Sequence, residues 1–228
     1  MFMESDRVLA LFKFGAREHI HQFVGEGLLY MNALAYFTTL EAQSVRRDPD
    51  EGAAHVLHHE GVRIGFKEKA EDTYKSIGPL AGPLRFRGAE SLKPNVFCMY
   101  GLRASTAFSL VDPRNFAFGD TFVLLKDGDE FLARARRAAL NSGHTMECRA
   151  VEYVDEAYSG PMGPFRKYAT FSYQSEVRLA LLPGTGAPYR LRLGSLSDIV
   201  ALTGTLADVN RHIRVFGVSN ENPLPQEG

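Results

Sequence analysis

FSYQSEVRLALL, residues 171–182, is the stretch on which the fold turns. Taken with a two-residue period, it puts Phe171, Tyr173, Ser175, Val177, Leu179 and Leu181 on one face. The other face carries Ser172, Gln174, Glu176, Arg178 and Ala180. That alternation predicts a strand with one buried side. Two readings of the polar face stay open: a solvated sheet surface with a local charge pair, or the floor of a polar cleft.

Working outward, RVLALFKFG (7–15) predicts a first strand, with Val8, Ala10, Phe12 and Phe14 alternating against Leu9, Leu11 and Lys13. AREHIHQFVGEG (16–27) places Ile20, Phe23 and Val24 at helical spacing, and Gly27 stands where a helix ends. LLYMN (28–32) returns as a short strand, and ALAYFTTLE (33–41) reads as a short helix with Leu34 and Phe37 inward. The charged, Pro- and Gly-containing stretch 41–61 lacks periodicity, the pattern of a functional loop. Strands are expected at VRIGF (62–66), NVFCMYGL (95–102), DTFVLLK (120–126), ECRAVEYV (147–154), PYRLRLG (188–194) and HIRVFGV (212–218). A helix is expected in KDGDEFLARARRAALNSG (126–143). Asp127 and Glu130 form its capping box, Phe131, Leu132, Ala135 and Ala139 its apolar face, and Gly143 its stop. SLSDIVALTG (195–204) and LADVNRH (206–212) suggest helical turns, and LLPGTGAP (181–188) a hairpin turn. The class is α+β with a mainly antiparallel sheet and short helices. Residues 1–219 read as a single domain and 220–228 as a disordered tail.

With 228 residues, 45% of them apolar, the chain is long enough to bury a substantial core. Its net charge of −1 removes bulk electrostatics as a reason to expect nucleic acid or membrane binding. Cys98 and Cys148 have no metal-ligand spacing and sit in apolar stretches, so buried free thiols in a reducing, cytoplasmic setting are expected. No basic-then-apolar leader opens the sequence, and no run approaches the roughly 18 apolar residues that span a bilayer. On a helix, His55 and His59 would share a face, yet no HExxH pattern or nearby carboxylate completes a zinc site, so no metal is expected. Neither GxSxG nor GxxxxGK[ST] occurs. RRDPDEG (46–52) falls short of a calcium loop. Arg134, Arg136 and Arg137 offer a basic patch that also reads as the solvated face of a helix.

LFKFGAREHIHQFVGEGLLYMNALAYF (11–37) and KYATFSYQSEVRLAL (167–181) together resemble the ADP-ribosyltransferase-like fold. In that family an aromatic strand leads to a helix ending in GL and a second strand, and a late strand carries the catalytic glutamate. The sequence is also similar to bacterial families found in toxin–antitoxin and phage-defence systems. Gln174-Ser175-Glu176 matches the family's Q-x-E motif. The resemblance implies an ADP-ribosyltransferase-like split sheet and an NAD-consuming transferase, a toxin or defence effector, acting on a macromolecular acceptor, RNA or protein, with a cognate antitoxin as a further partner. It gives Glu176 the catalytic role of stabilising the positive ribose as the nicotinamide bond breaks. Gln174 and Arg178 become acceptor-side residues. Lys13 falls where the family usually has His or Arg, which alters the donor geometry. Tyr30, Asn32 and Tyr36 match nicotinamide-sandwiching positions, and Arg47, beside Asp48, is placed to meet the pyrophosphate. Residues 52–165 match no motif. The alternatives are a non-catalytic nucleotide- or partner-binding module on the same fold, or an interaction protein of a multi-gene operon.

Overall fold

The computed structural model describes residues 7–39, 52–58, 63–79, 82–105 and 111–214. Arg47, Asp48, His59 and the 220–228 tail therefore lie outside the described residues. Chain order begins β1 (Val8–Gly15), α1 (Arg17–Glu26), β2 (Leu28–Ala33), α2 (Leu34–Thr38), β3 (His55–Leu57), β4 (Arg63–Phe66), β5 (Lys75–Pro79) and β6 (Leu84–Phe86). It continues β7 (Asn95–Arg103), β8 (Thr121–Leu125), α3 (Gly128–Asn141), β9 (Thr145–Ala150), β10 (Glu152–Val154), β11 (Gly160–Pro161) and β12 (Arg166–Tyr168). Last come β13 (Glu176–Leu182), β14 (Tyr189–Arg192), β15 (Val200–Thr205) and α4 (Val209–His212). The fold is α+β, with mostly antiparallel sheets and a few short helices.

The main sheet runs β14-β2-β7-β1-β8-β15, with β13 on β7 and β9 on β13. β7 is its spine. On one edge β7 carries β13 from Glu176↔Tyr100 to Leu181↔Asn95. On the other edge two strands share it: β1 lies against Tyr100–Arg103 and β2 against Asn95 and Val96. The sheet parts between them. Cys98, in that gap, gives its carbonyl to the Lys13 ammonium at 2.7 Å, so a lysine replaces the missing ladder bond.

Helices close one face of the sheet. Phe23 of α1 stacks on Phe97 at 5.7 Å and meets Phe131 of α3 edge-on at 5.8 Å. These rings are buried, each contributing about 1.5–3 kcal/mol. α1 ends as the sequence predicts: Gly27 adopts φ 61, donates back to the Gln22 carbonyl, and would drive a Cβ to 2.1 Å from the Gly194 carbonyl oxygen. At the other end, Asp127 caps α3 by accepting from the Glu130 amide at 2.8 Å. Phe12, Phe14, Tyr100 and Phe122 form a second, aromatic cluster.

Several expected elements change. The strand predicted from Phe171 begins at Glu176, because Ala169–Gln174 is a 3-10 helix and Ser175 takes φ 41. ECRAVEYV breaks at Val151 into β9 and β10, which pair with different partners. LLPGTGAP is not a hairpin turn: β14 pairs with β2, and buried Asn95 pins the connection by accepting from the Thr185 amide at 2.8 Å. SLSDIVALTG supplies an edge strand, β15, after one helical turn. HIRVFGV opens on the last turn of α4, and 215–218 lie outside the described residues. The cysteines are free but half-buried rather than buried. His55 is on a strand, which removes the helical spacing on which a shared histidine face depended.

Candidate functional site

The parting of β1 from β2 opens a cavity of about 540 Å³. Phe23 and Phe97 line it from the helix-covered side, and Val96, Cys98, Glu176 and Arg178 from the other. Lys13 of β1, Tyr30 and Asn32 of β2, and Tyr36 of α2 contribute further walls. Gln174 completes the set, so seven of the eight residues to which the resemblance gives a site role line one cavity; the eighth, Arg47, lies outside the described residues. Tyr30 and Tyr36 are 47% and 40% exposed, so they stand at the surface rather than in the core.

Gln174, Glu176 and Arg178 do not lie open to bulk water, although Ser172 does. Glu176 is 7% exposed, Gln174 2% and Arg178 1%. Both faces of β13 are covered, Val177, Leu179 and Leu181 by the main core and Ala180 by Leu34 and Val96. Such burial is tolerable only with full hydrogen bonding. Lys167 of β12 supplies it, donating to Gln174 Oε1 and Glu176 Oε1 at 2.8 Å each. Arg178 Nε donates to Glu176 Oε2 at 2.6 Å, and Arg178 Nη1 to the Pro164 carbonyl at 2.7 Å. The Glu176 amide donates to the Tyr153 hydroxyl at 2.9 Å.

Gln174 and Glu176 converge for a reason strand periodicity does not contain. Ser175 sits in the left-handed region, at a cost of about 1–2 kcal/mol for a residue with a Cβ. Two contacts hold it there: its hydroxyl donates to the Gly101 carbonyl at 2.6 Å, and the Gly101 amide donates to the Ser175 carbonyl at 2.8 Å. The chain swings from 3-10 helix into strand around this residue, and Lys167 gathers the flanking side chains.

Electrostatics set what each group can do. Burial works against a charge on Glu176, but the adjacent Arg178 and Lys167 outweigh it and hold the carboxyl down at about 2. Glu176 is therefore a permanent carboxylate, suited to accepting hydrogen bonds and stabilising positive charge, not to donating a proton. Burial, reinforced by the Glu176 charge, pushes the Cys98 thiol up to about 11, so it is no nucleophile at neutral pH. The same two influences push the Tyr153 hydroxyl above its usual range. Among the described lining residues, Lys13, Lys167, Arg178 and Arg190 face one carboxylate, Glu176, so the cavity carries a cationic excess.

Lys167, His19 and Arg190 line the cavity without having been singled out in the sequence. Lys167 lay inside the quoted 167–181 stretch, but a lysine on a three-residue strand gives no periodic signal. Arg190 sits on a strand that was correctly expected, with nothing to mark which way it faced. The proposed basic patch loses weight, since Arg134 is paired with Glu130 at 2.7 Å and with Asp198. Among the described residues, no helix is long and apolar enough to cross a membrane. The chain matches no protein-family model, no curated protein and no solved structure.

Proposed function

We propose that the chain is an NAD-dependent ADP-ribosyltransferase whose working carboxylate is Glu176. What supports this reading is the convergence of residues from both ends of the sequence on one cavity with an ionised, buried carboxylate at its base. NAD would enter as substrate, its nicotinamide between Tyr30 and Tyr36 and its ribose hydroxyls donating to Glu176. Nicotinamide leaves with the electron pair of the C–N bond, positive charge builds on the ribose, and the carboxylate stabilises it. An acceptor nucleophile on RNA or protein then bonds to the ribose carbon and gives up its proton, with Gln174 and Arg178 on the acceptor side. In a cell such an enzyme acts as a toxin or defence effector, held in check by a cognate antitoxin. The test is expression of the protein in a bacterial host with tagged NAD. Growth arrest and label on lysate RNA or protein, both lost in a Lys167→Met, Glu176→Gln double variant shown folded by circular dichroism, support the reading; label that survives Glu176→Gln overturns it.

A second reading is a nucleotide-binding module without turnover. It is favoured by one observation: cations already hold both carboxylate oxygens of Glu176, at 2.8 and 2.6 Å, and draw down the charge available to a ribose cation. Binding of NAD with no release of nicotinamide would decide for it.

A further inference from the structure

Arg190 and Tyr30 face each other across the β14–β2 ladder in direct register. The guanidinium lies 5.7 Å from the ring centroid, within range of a cation–π contact. Both side chains are exposed and both line the cavity, so the pair stands at its mouth.

Arg192, Arg178 and Arg134, by contrast, carry partners that quench their charge. Arg192, two residues along the same strand, pairs with Glu26 at 3.2 Å. Arg178 pairs with Glu176 inside the cavity, and Arg134 with Glu130 and Asp198 outside it. Among the described residues, no carboxylate pairs with Arg190. A planar cation steadied on an aromatic face, with its N–H fork unspent, is suited to phosphate oxygens. The cavity behind it has the volume of a small-molecule site and a cationic excess that one carboxylate does not offset.

The geometry points to Arg190 as a phosphate-binding residue at the mouth of the cavity, steadied by Tyr30, and to a ligand that carries a pyrophosphate. This rests on the cavity being the nucleotide site proposed above, but not on catalysis there.

Titration calorimetry with ADP-ribose on wild type, Arg190→Ala, Arg190→Lys and Arg192→Ala tests it. Arg190 and Arg192 are exposed and two residues apart, so both alanine variants fold and remove the same charge. Arg190→Ala is expected to weaken ADP-ribose about 10- to 100-fold, the usual range for a charged hydrogen-bond partner, with Arg190→Lys in between and Arg192→Ala near wild type. Equal weakening in both alanine variants would leave only long-range charge and overturn the assignment. So would unaltered affinity in Arg190→Ala, or no ADP-ribose binding by wild type together with Arg190-dependent binding of a short RNA. The catalytic reading fails separately: selective loss in Arg190→Ala alongside no nicotinamide release from NAD keeps the subsite and removes the transferase.

Discussion

Replacing Glu176 by Gln, the obvious test of a catalytic carboxylate, is expected to cost stability as well as activity. The side chain is 7% exposed and shares its two oxygens between Lys167 and Arg178. An amide keeps one acceptor and turns the other position into a donor, which must face an ammonium or a guanidinium at hydrogen-bond distance. Two buried cations also lose their counter-charge. Breaking a buried ion pair from one side costs about 3–5 kcal/mol, a large share of a typical domain's stability. Removing a cation at the same time restores the balance: Lys167→Met with Glu176→Gln leaves the cluster's net charge unchanged, and the Gln oxygen still accepts from Arg178. Urea unfolding at neutral pH, followed by circular dichroism, should show Glu176→Gln losing about 3–5 kcal/mol, with the double variant recovering about 1.5–3 kcal/mol relative to the sum of the singles. Simple additivity, or a Glu176→Gln variant within 1 kcal/mol of wild type, would refute the coupled triad.

The same cluster dictates a pH dependence. The folded value of Glu176, about 2, lies below the ordinary 4.5, so its stabilisation is complete above pH 4.5 and is lost as pH falls toward 2. A urea-midpoint series across that range should slope downward in wild type and flatten in the double variant; equal slopes would contradict the assignment. Lys13→Met strands the Cys98 carbonyl in the gap of the sheet, and denaturation should register a loss of about 1–3 kcal/mol. Gly119→Ala places a Cβ 2.2 Å from the Gly15 backbone at the cavity wall, so it should cost about 1–3 kcal/mol or more in thermal unfolding.

Much of the frame was legible because local rules and tertiary needs agree there. Val8–Gly15 alternates, Gly27 ends α1 as its φ requires, and Asp127 caps α3, all readable without a structure. The strand at Glu176 was half legible: Val177, Leu179 and Leu181 announce a buried face, but the same period carried on through Ser175 to Phe171. What stops it is a contact with Gly101, far away in sequence, and no local pattern encodes that. Gln174 and Glu176 were thus expected together for a reason that does not hold, and meet for another. Lys167 was invisible because its role depends on β12 being laid beside β10 across a parallel pairing. β15 was hidden because Val200 and Leu202 are only half-buried at the sheet edge, leaving a weak alternation.

Glu176 is proposed to act on NAD as a carboxylate held between Lys167 and Arg178, inside a cavity with a cationic excess. Nicotinamide release from NAD by wild type and by the Lys167→Met, Glu176→Gln double variant, each shown folded by its unfolding curve, tests it most directly. Release is expected from wild type, with at least a 100-fold loss in the folded double variant, as follows when a main electrostatic stabiliser is removed. Equal release by both, or none by a wild type that binds NAD, would contradict it.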